Sequence, residues 1–278
     1  MYGVACPCRT IPRRRPSRPP PLYHPTVKVS FPTTPEPHWD WMLEFRAFSL
    51  QHVLTVAFIA ALMAGAAWLG RRWRGTRRER LLRFAWIATT MLWQTAAVVW
   101  WLLPANFDPR ESFPLHLCDL AAWVAPFALL TQARWLRTLL YFWAFALSTQ
   151  AYFTPVLDEG FGTLRFWLFF VGHTHIVGSA VYDVVALGYR PMLRDWLIAA
   201  GLSLAYGALV LAINLTFDLN YGYLGRTTPE HRTLLDSLGP WPWRPIALVL
   251  IAQAALALAY APWPIARRLA RRRGTVAG

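Results

Sequence analysis

Seven long runs of apolar residues, separated by short segments that carry most of the charge, constrain the fold of this chain more than any other feature. The runs are continuous blocks, whereas the helices and strands of a soluble domain divide an apolar face from a polar one at regular intervals. A helix needs about 20 apolar residues to cross the hydrocarbon core of a bilayer. The pattern therefore predicts an all-α fold, a polytopic transmembrane helical bundle with about seven spans.

The predicted spans cover, in chain order, residues 48–69, 84–103, 115–130, 139–153, 166–187, 196–217 and 245–266. The third and fourth are shorter than a full crossing, so we expect them to be buried against neighbouring helices, with a shallow re-entrant pair as the alternative. The membrane domain then covers residues 42–266, and residues 267–278 form a basic cytoplasmic tail. The Pro- and Arg-rich tail over residues 1–41 is expected to be disordered, because it cannot bury a core.

A formal net charge of +14 first suggests nucleic acid as a partner, but the distribution of that charge argues against it. The arginines lie in short clusters between the apolar blocks, where the topology signals of membrane proteins lie, rather than on one basic face. With 56% hydrophobic and 15% charged residues, the chain also departs from the composition of a soluble domain. We therefore expect membrane lipids and no nucleic acid as partners, and the oligomeric state stays open.

The arginine distribution also predicts the orientation of the chain. One side holds 16 arginines: seven in the loop from Arg71 to Arg83, then Arg134, Arg137, Arg190 and Arg194, and five from Arg267 to Arg273. The opposite side holds six, namely Arg46, Arg110, Arg165, Arg226, Arg232 and Arg244. Because positive charge is retained in the cytoplasm, we expect a multi-pass protein of the cell inner (cytoplasmic) membrane with its N-terminus outside and its C-terminus inside.

The three cysteines are too few for a disulfide framework. Cys6 and Cys8 lie in the N-terminal tail without a second pair of ligands nearby, so a zinc site is not expected there. His173 and His175 are two residues apart and therefore point to different faces of a helix, which argues against a shared metal. The sequence indicates no metal and no cofactor.

Polar side chains gather in the outer half of the predicted spans. The set comprises His52, His116, Cys118, Asp119, Gln150, Tyr152, His173, His175 and Asn214, with Asn220 and Tyr221 just beyond. Because polar groups within a span are costly, their common depth favours a shared polar cavity, and an interfacial position near the lipid head groups is the alternative. The inner half has few polar residues, mainly Gln94 and Asp183, and we interpret it as apolar.

Helix spacing assigns candidate roles within this set. His116 and Asp119 are three residues apart, so the carboxylate could orient the imidazole. Small and polar neighbours on its helix face favour His175 over His173 as the inward-facing histidine of span five. Cys118 is a candidate nucleophile or a small apolar filler, and it requires a base nearby, because the thiolate is the reactive species. At the outer rim, Arg165 could hold a lipid phosphate.

Several motifs at the outer ends of the spans resemble those of the bacterial YwaF-like integral membrane proteins. They are Phe113-Pro114-Leu115-His116-Leu117-Cys118-Asp119, Tyr141-Phe142-Trp143 with Gln150 and Thr154-Pro155, Phe166-Trp167 to Gly172-His173, Asn220-Tyr221 with Tyr223-Leu224, and Leu235-Asp236 to Trp243. The resemblance covers residues 48–264.

The YwaF-like family is similar to a eukaryotic transmembrane protein described as a cysteine-dependent acyltransferase that makes polyunsaturated ether phospholipids. The resemblance thus implies a membrane-embedded site in which a cysteine and a histidine act on lipid esters. In that relative the cysteine directly precedes the histidine of the third span, whereas here Leu115 holds that position and Cys118 lies one turn further in. The span-five histidine of the family matches His173, and Arg244 stands where the family usually has tyrosine.

Two functions therefore follow as expectations. The first is a lipid acyltransferase or hydrolase with Cys118 as nucleophile, His173 or His175 as base, and His116 paired with Asp119. The second is a non-catalytic transporter or receptor that binds a small polar or lipid ligand in the same cavity. Hydrogen-bond contact between the Cys118 sulfur and a histidine nitrogen would favour the first.

The orientation can be tested with reporter fusions. A reporter that is active only in the periplasm is expected to be inactive after Gly278 and active when fused in the loop at Asp108, because the arginine count places these two points on opposite sides. Periplasmic activity at Gly278 would contradict the orientation and the depth assignments that depend on it.

Overall fold

The computed structural model describes residues 40–226 and 237–276 of the chain. The tail predicted to be disordered lies outside the described residues, except that Asp40 and Trp41 begin a single helical turn, Asp40–Leu43. This turn is held by backbone hydrogen bonds, in which the N–H groups of Gly160 and Gly162 donate to the carbonyls of Leu43 and Met42. The start of the membrane domain is thus fixed to the loop that precedes the fifth span.

The described part of the chain is helical and contains no β-strand, only one isolated bridge between Glu44 and Glu159, so the predicted all-α bundle is confirmed. The helices are α1 Leu50–Arg72, α2 Arg77–Leu102, α3 Leu117–Thr131, α4 Arg134–Phe142, α5 Leu164–Val185, α6 Leu193–Phe217, α7 Trp243–Tyr260 and α8 Pro262–Val276. Helix α4 continues as a π-helix, Trp143–Ser148, and a 3₁₀-helix, Thr149–Tyr152. Helices α1 to α7 coincide in order with the seven predicted spans.

Four helical segments of the described residues are long and apolar enough to cross a membrane by themselves. They are Leu50–Arg72, Leu164–Val185, Leu193–Phe217 and Trp243–Leu269. Helix α3 has only 15 residues, as its short apolar run suggested. It packs against α2, α4 and α5 in the centre of the bundle, and Ala121, Ala125 and Ala128 on it are fully buried. Small residues allow neighbouring backbones to approach closely, so this short helix packs tightly against three neighbours on one side, while Leu120, Phe127 and Leu130 stay exposed on the other.

The bundle has two ends that differ in chemistry. We call the end at which α1, α3 and α5 begin the histidine end, and the end at which α2, α4 and α6 begin the arginine end. His116 precedes α3 beside Gly222 at the histidine end, and after α3 the chain reaches Arg134, which pairs with Asp195 at the arginine end. Tyr152 then returns to the histidine end, where its carbonyl contacts His52. The pair α3–α4 therefore extends between both ends, which favours two crossings over a shallow re-entrant pair.

A buried ionic network lies at the arginine end, so the interpretation of that half as apolar was wrong. Glu79, Asp183 and Asp195 are each at most 4% exposed. Each of them pairs with an arginine: Glu79 with Arg83 at 3.4 Å, Asp183 with Arg137 at 2.8 Å, and Asp195 with Arg134. The sequence interpretation assigned these arginines to loops, whereas the helices extend beyond the apolar runs and carry the charged residues into the bundle.

In the Arg137–Asp183 pair both side chains are largely buried, with 16% of the Arg137 side chain and 2% of the Asp183 side chain exposed. The Arg137 Nε is 3.0 Å from both carboxylate oxygens, and its guanidinium lies 5.0 Å from the centre of the Tyr189 ring. The Tyr189 hydroxyl is 3.0 Å from the hydroxyl of Thr138, which is fully buried. The pair thus joins α4 to α5 and to the loop that follows α5.

Arg137→Gln is expected to lower the free energy of unfolding by about 3–5 kcal/mol, because it leaves the buried Asp183 carboxylate without its cation. The double variant Arg137→Leu/Asp183→Leu should recover most of that loss, since two apolar side chains replace the pair. Equilibrium unfolding in detergent micelles, followed by circular dichroism, measures both effects.

Arg46→Gln is the matched control, because Arg46 and Glu44 form an ion pair in which both side chains are largely exposed. Such a pair contributes less than about 1 kcal/mol. An Arg137 variant that is no less stable than the Arg46 variant would contradict the structural role of the buried network.

Candidate functional site

Cys118 lies in the first turn of α3, two residues after the N-terminal boundary residue His116. Its sulfur is 3.7 Å from the hydroxyl oxygen of Ser148, which is fully buried. Ser148 is the last residue of the π-helical turn in the fourth span. Within the described ranges, no histidine nitrogen is within hydrogen-bond distance of the thiol. The sequence expectation placed its partner on span five, whereas the structure places a serine of span four there.

The first turn of α3 also shows what Asp119 does. Its carboxylate accepts a hydrogen bond from the backbone N–H of His116 at 3.0 Å and so caps the helix. The expected contact between the carboxylate and the imidazole is not made, because the helix begins at Leu117 and His116 precedes it. The His116 ring turns instead toward the loop after α6, where its Nδ1 accepts from the Gly222 N–H at 3.4 Å. The ring also lies beside Tyr221 and Tyr223.

His173 is held in one tautomer by its own helix. Its Nδ1 is 2.8 Å from the carbonyl oxygen of Phe169. A carbonyl oxygen can only accept, so Nδ1 carries the proton and Nε2 keeps its lone pair. The ring packs 4.5 Å from the Phe169 ring and 6.5 Å from that of Tyr152. Of the two span-five histidines, His173 is therefore the one whose tautomer is fixed by a hydrogen bond that leaves Nε2 free.

His52 has the opposite arrangement. Its Nδ1 accepts from the backbone N–H of Phe48 at 2.9 Å, and its Nε2 donates to the carbonyl of Tyr152 at 3.0 Å. Both ring nitrogens are occupied, and the side chain is 3% exposed. His52 therefore joins the start of α1 to the end of the fourth span, and it has no lone pair left for a substrate.

His175, which helix spacing favoured, faces α2. Its ring meets the Trp86 ring edge-on at 5.8 Å between centroids, and its buried Nδ1 has no hydrogen-bond partner in the described part of the chain. The Trp86 indole N–H donates to Ser179 at 2.9 Å on the same side of α5. The two histidines of span five thus lie in different surroundings.

Asn214 and Tyr221 form a clamp over the histidine end of α6. The Asn214 amide donates to the Tyr221 carbonyl at 2.8 Å and accepts from the Tyr221 N–H at 2.9 Å. The Tyr221 hydroxyl then donates to the carbonyl of Pro109 at 2.7 Å and accepts from the N–H of Phe113. This clamp fixes the loop that leads into α3 and so positions the turn that carries Cys118.

Two further side chains at this end, Tyr206 and Arg244, were not recognised in the sequence as parts of the site, and they brace the same loops as the predicted Asn220. The Tyr206 hydroxyl donates to the carbonyl of Leu115 at 2.6 Å, within the loop that precedes α3. Arg244 is 1% exposed and donates to the carbonyl of Gly225 at 2.6 Å. Asn220 accepts from the Gly225 N–H at 2.9 Å, so it braces the same loop. A buried arginine at the start of a span is a signal that the arginine count treated only as a loop charge.

The rim residues are more exposed. Arg165 forms ion pairs with Glu111 at 2.8 Å and Glu159 at 3.0 Å, and its guanidinium lies 4.9 Å from the Trp101 ring centre. Its charge is already balanced by two carboxylates, so a lipid phosphate would have to displace one of them. The Gln150 side chain is exposed, in contrast to its buried neighbour Tyr152.

The structure distributes the predicted set over three groups. The first comprises Cys118 and Ser148 with His116, Asp119, Tyr221 and Asn214, and the second comprises His52, Tyr152 and His173. The third is His175 with Trp86. A cavity of about 670 Å³ at the histidine end lies elsewhere, between the starts of α1 and α5, where Leu50, Leu54 and Trp167 line it.

The sequence model of the TMEM164 family, a family of transmembrane proteins, matches residues 47–260, which is well over half of the chain. No curated protein and no solved structure is similar enough to count as a match.

Asn214→Ala is expected to destabilise the protein, because it leaves the buried N–H and carbonyl of Tyr221 without partners, and each such group costs about 1–3 kcal/mol. Thr216→Ala, two residues away on an exposed position of α6, is the control and should change stability by less than about 0.5 kcal/mol. Thermal unfolding in detergent compares them. Equal stability of the two variants would show that the clamp contributes nothing.

Proposed function

Because the chain belongs to the TMEM164 family, it is an integral membrane protein, and we propose that it is a lipid-modifying enzyme that transfers or hydrolyses acyl groups. Cys118 is the nucleophile of this proposal, and His173 is the base. The resemblance to YwaF-like proteins and their acyltransferase relative is part of the same proposal. The observation that carries it is that α3 packs against α5: the first turn of α3 holds a thiol 3.7 Å from the Ser148 hydroxyl, and α5 holds a histidine whose Nε2 is free to act as a base.

The position of Cys118 supports a reactive thiolate. Unpaired backbone N–H groups give the N-terminal turn of a helix a partial positive charge, which stabilises an anion there. The Ser148 hydroxyl, 3.7 Å from the sulfur, can donate to a thiolate once it forms. A thiol that served only as apolar filler would need neither feature.

The tautomer of His173 supports its role as base. Catalytic histidines are commonly oriented by a hydrogen bond on the nitrogen that does not react, and the Phe169 carbonyl supplies this bond. Sequence spacing favoured His175, whereas the resemblance to the YwaF-like motifs and the hydrogen bond to Phe169 both favour His173. In the structure the thiol and His173 are not in direct contact, so the proposal requires a bridging water or closure around a bound lipid.

The chemistry follows a two-step acyl transfer. His173 Nε2 takes the thiol proton, the Cys118 sulfur attacks the carbonyl carbon of a lipid ester, and a thioester forms as the ester C–O bond breaks. The departing lysolipid alkoxide takes the proton from His173. A hydroxyl group of a second lipid, or water in a hydrolase, then gives its proton to His173 and attacks the thioester, which releases the sulfur and regenerates the site.

The alternative is a non-catalytic transporter or receptor for a small polar or lipid ligand. The bond of the thiol to Ser148 rather than to a histidine favours it. The buried acids at the arginine end do not support this alternative, because each pairs with an arginine and is not free to bind a ligand.

Labelling of cysteines in membranes tests the proposal. With a small uncharged chloroacetamide at neutral pH, Cys118 is expected to react about tenfold faster than Cys6 of the N-terminal tail, because its thiolate is stabilised and has a base. His173→Ala should remove that advantage, and His175→Ala, the matched change on the same helix, should leave it intact. A lipidomic comparison of cells with the native chain and with Cys118→Ala should show a change in acyl composition.

Equal reaction rates of Cys118 and Cys6, together with no effect of His173→Ala, would remove the nucleophile assignment. Reactive Cys118 with an unchanged lipid composition in the Cys118→Ala cells would contradict acyl transfer and favour the receptor alternative. Cys118→Ser separates the two further, since a serine keeps the polar contact with Ser148 but is a far weaker nucleophile.

A further inference from the structure

An open cavity of about 610 Å³ lies at the arginine end, far along the bundle from Cys118. It is formed by the end of α1, the start of α2 and the turn that joins them. Its walls include the aromatic side chains Trp68 and Trp73 and the arginines Arg72, Arg77 and Arg78. No acidic residue lines it.

The positive charge in this cavity has no partner among the residues that the structure describes. Two other arginines of the same segment are engaged, since Arg74 donates to the carbonyl of Leu187 and Arg83 pairs with Glu79. Within the described residues, the side chains of Arg72, Arg77 and Arg78 form neither an ion pair nor a hydrogen bond. Three guanidinium groups that line one cavity repel one another, and an anion bound in that cavity would reduce the repulsion.

The turn that carries these arginines is well defined. The Thr76 hydroxyl donates to the Trp73 carbonyl at 2.6 Å and accepts from the N–H of Glu79, so it closes α1 and starts α2. Gly75 adopts a φ of +80°, a left-handed conformation that favours glycine. Arg74 fixes the turn to the end of α5. The cavity is therefore shaped before a ligand arrives, which lowers the entropic cost of binding.

The aromatic wall indicates which anion fits. Trp68 is 63% exposed and stands on the outer surface of α1, one turn before Arg72. Tryptophan prefers the boundary between the hydrocarbon and the head groups. A ligand that places a phosphate among the arginines would therefore place its apolar part along Trp68. Guanidinium groups bind phosphate oxygens in a bidentate geometry, which makes a phosphate the preferred anion.

We infer that this cavity binds a phosphate ester, and specifically the head group of an anionic phospholipid in the leaflet at the arginine end. The site is separate from Cys118, so it does not depend on the proposed catalytic function. On this inference, the arginine-rich turn between α1 and α2 binds a ligand in addition to acting as a topology signal.

Native mass spectrometry of the full chain in detergent tests this inference. Phosphatidylglycerol is expected to remain bound under conditions that remove phosphatidylcholine of the same acyl chains. The triple variant Arg72→Gln/Arg77→Gln/Arg78→Gln should weaken phosphatidylglycerol binding about tenfold or more, since each arginine near a lipid surface contributes measurably to anionic lipid binding. All three side chains are exposed and unpaired, so the variant should fold normally, as circular dichroism would verify.

The control variant removes three positive charges at other positions of the arginine end. Arg71→Gln/Arg80→Gln/Arg194→Gln changes three exposed arginines that do not line the cavity, and it should weaken binding less than about twofold. An equal loss in both triple variants would mean that diffuse charge attracts the lipid, and would overturn the site. Unchanged phosphatidylglycerol binding in both triple variants would also overturn the site.

A second arm distinguishes a lipid from a free phosphate ester. Glycerol 3-phosphate and inorganic phosphate are added to the complex with phosphatidylglycerol. If the site takes a lipid, neither displaces it at equal concentration, and Trp68→Ser weakens the binding of phosphatidylglycerol. Full displacement by the soluble esters, with no effect of Trp68→Ser, would overturn the lipid assignment.

Discussion

The hydrocarbon interior of a bilayer supplies no water, so polar groups inside this bundle depend on partners from the chain itself. At the arginine end three buried acids have such partners: Glu79 pairs with Arg83 of its own helix, and Asp183 and Asp195 pair with arginines of α4. At the histidine end Asn214 has such partners in both main-chain groups of Tyr221. These contacts hold the ends of the helices together, and the apolar packing between them follows from that arrangement.

Much of the fold could be predicted from the sequence, because the bilayer sets how long a span must be and where arginines cluster. Neither depends on the contacts between helices. The seven helices appear in the predicted order, and the third is short as expected. The helix ends could not be predicted, because charged residues continue a helix as readily as they end it. Thr76 caps α2 well before the apolar run, so Glu79 and Arg83 enter the bundle.

The candidate site was predictable at the level of residue types and depth, but not of contacts. A sequence indicates only that a histidine could act as a base or a ligand. The hydrogen bonds of its ring decide which nitrogen has a free lone pair for that role. His52 and His173 lie at similar depths and next to the same Tyr152, yet one has both nitrogens occupied and the other keeps a lone pair. Likewise the position of Asp119 depends on where α3 begins, and helical spacing cannot be applied to a residue that precedes the helix.

The change of winding in the fourth span has a consequence for how such a protein can vary. The span begins as an α-helix at Arg134, widens to a π-helix over Trp143–Ser148, and ends in a 3₁₀-helix at Tyr152. π turns commonly sit as single wide turns inside α-helices and mark functional positions. Loss of one residue within this turn would leave the span nearly as long, yet it would rotate Ser148 away from Cys118. The length of the span and the helical register that brings Ser148 to the thiol are therefore separate properties. An insertion or deletion can change the register and still leave a span that is long enough to cross the membrane.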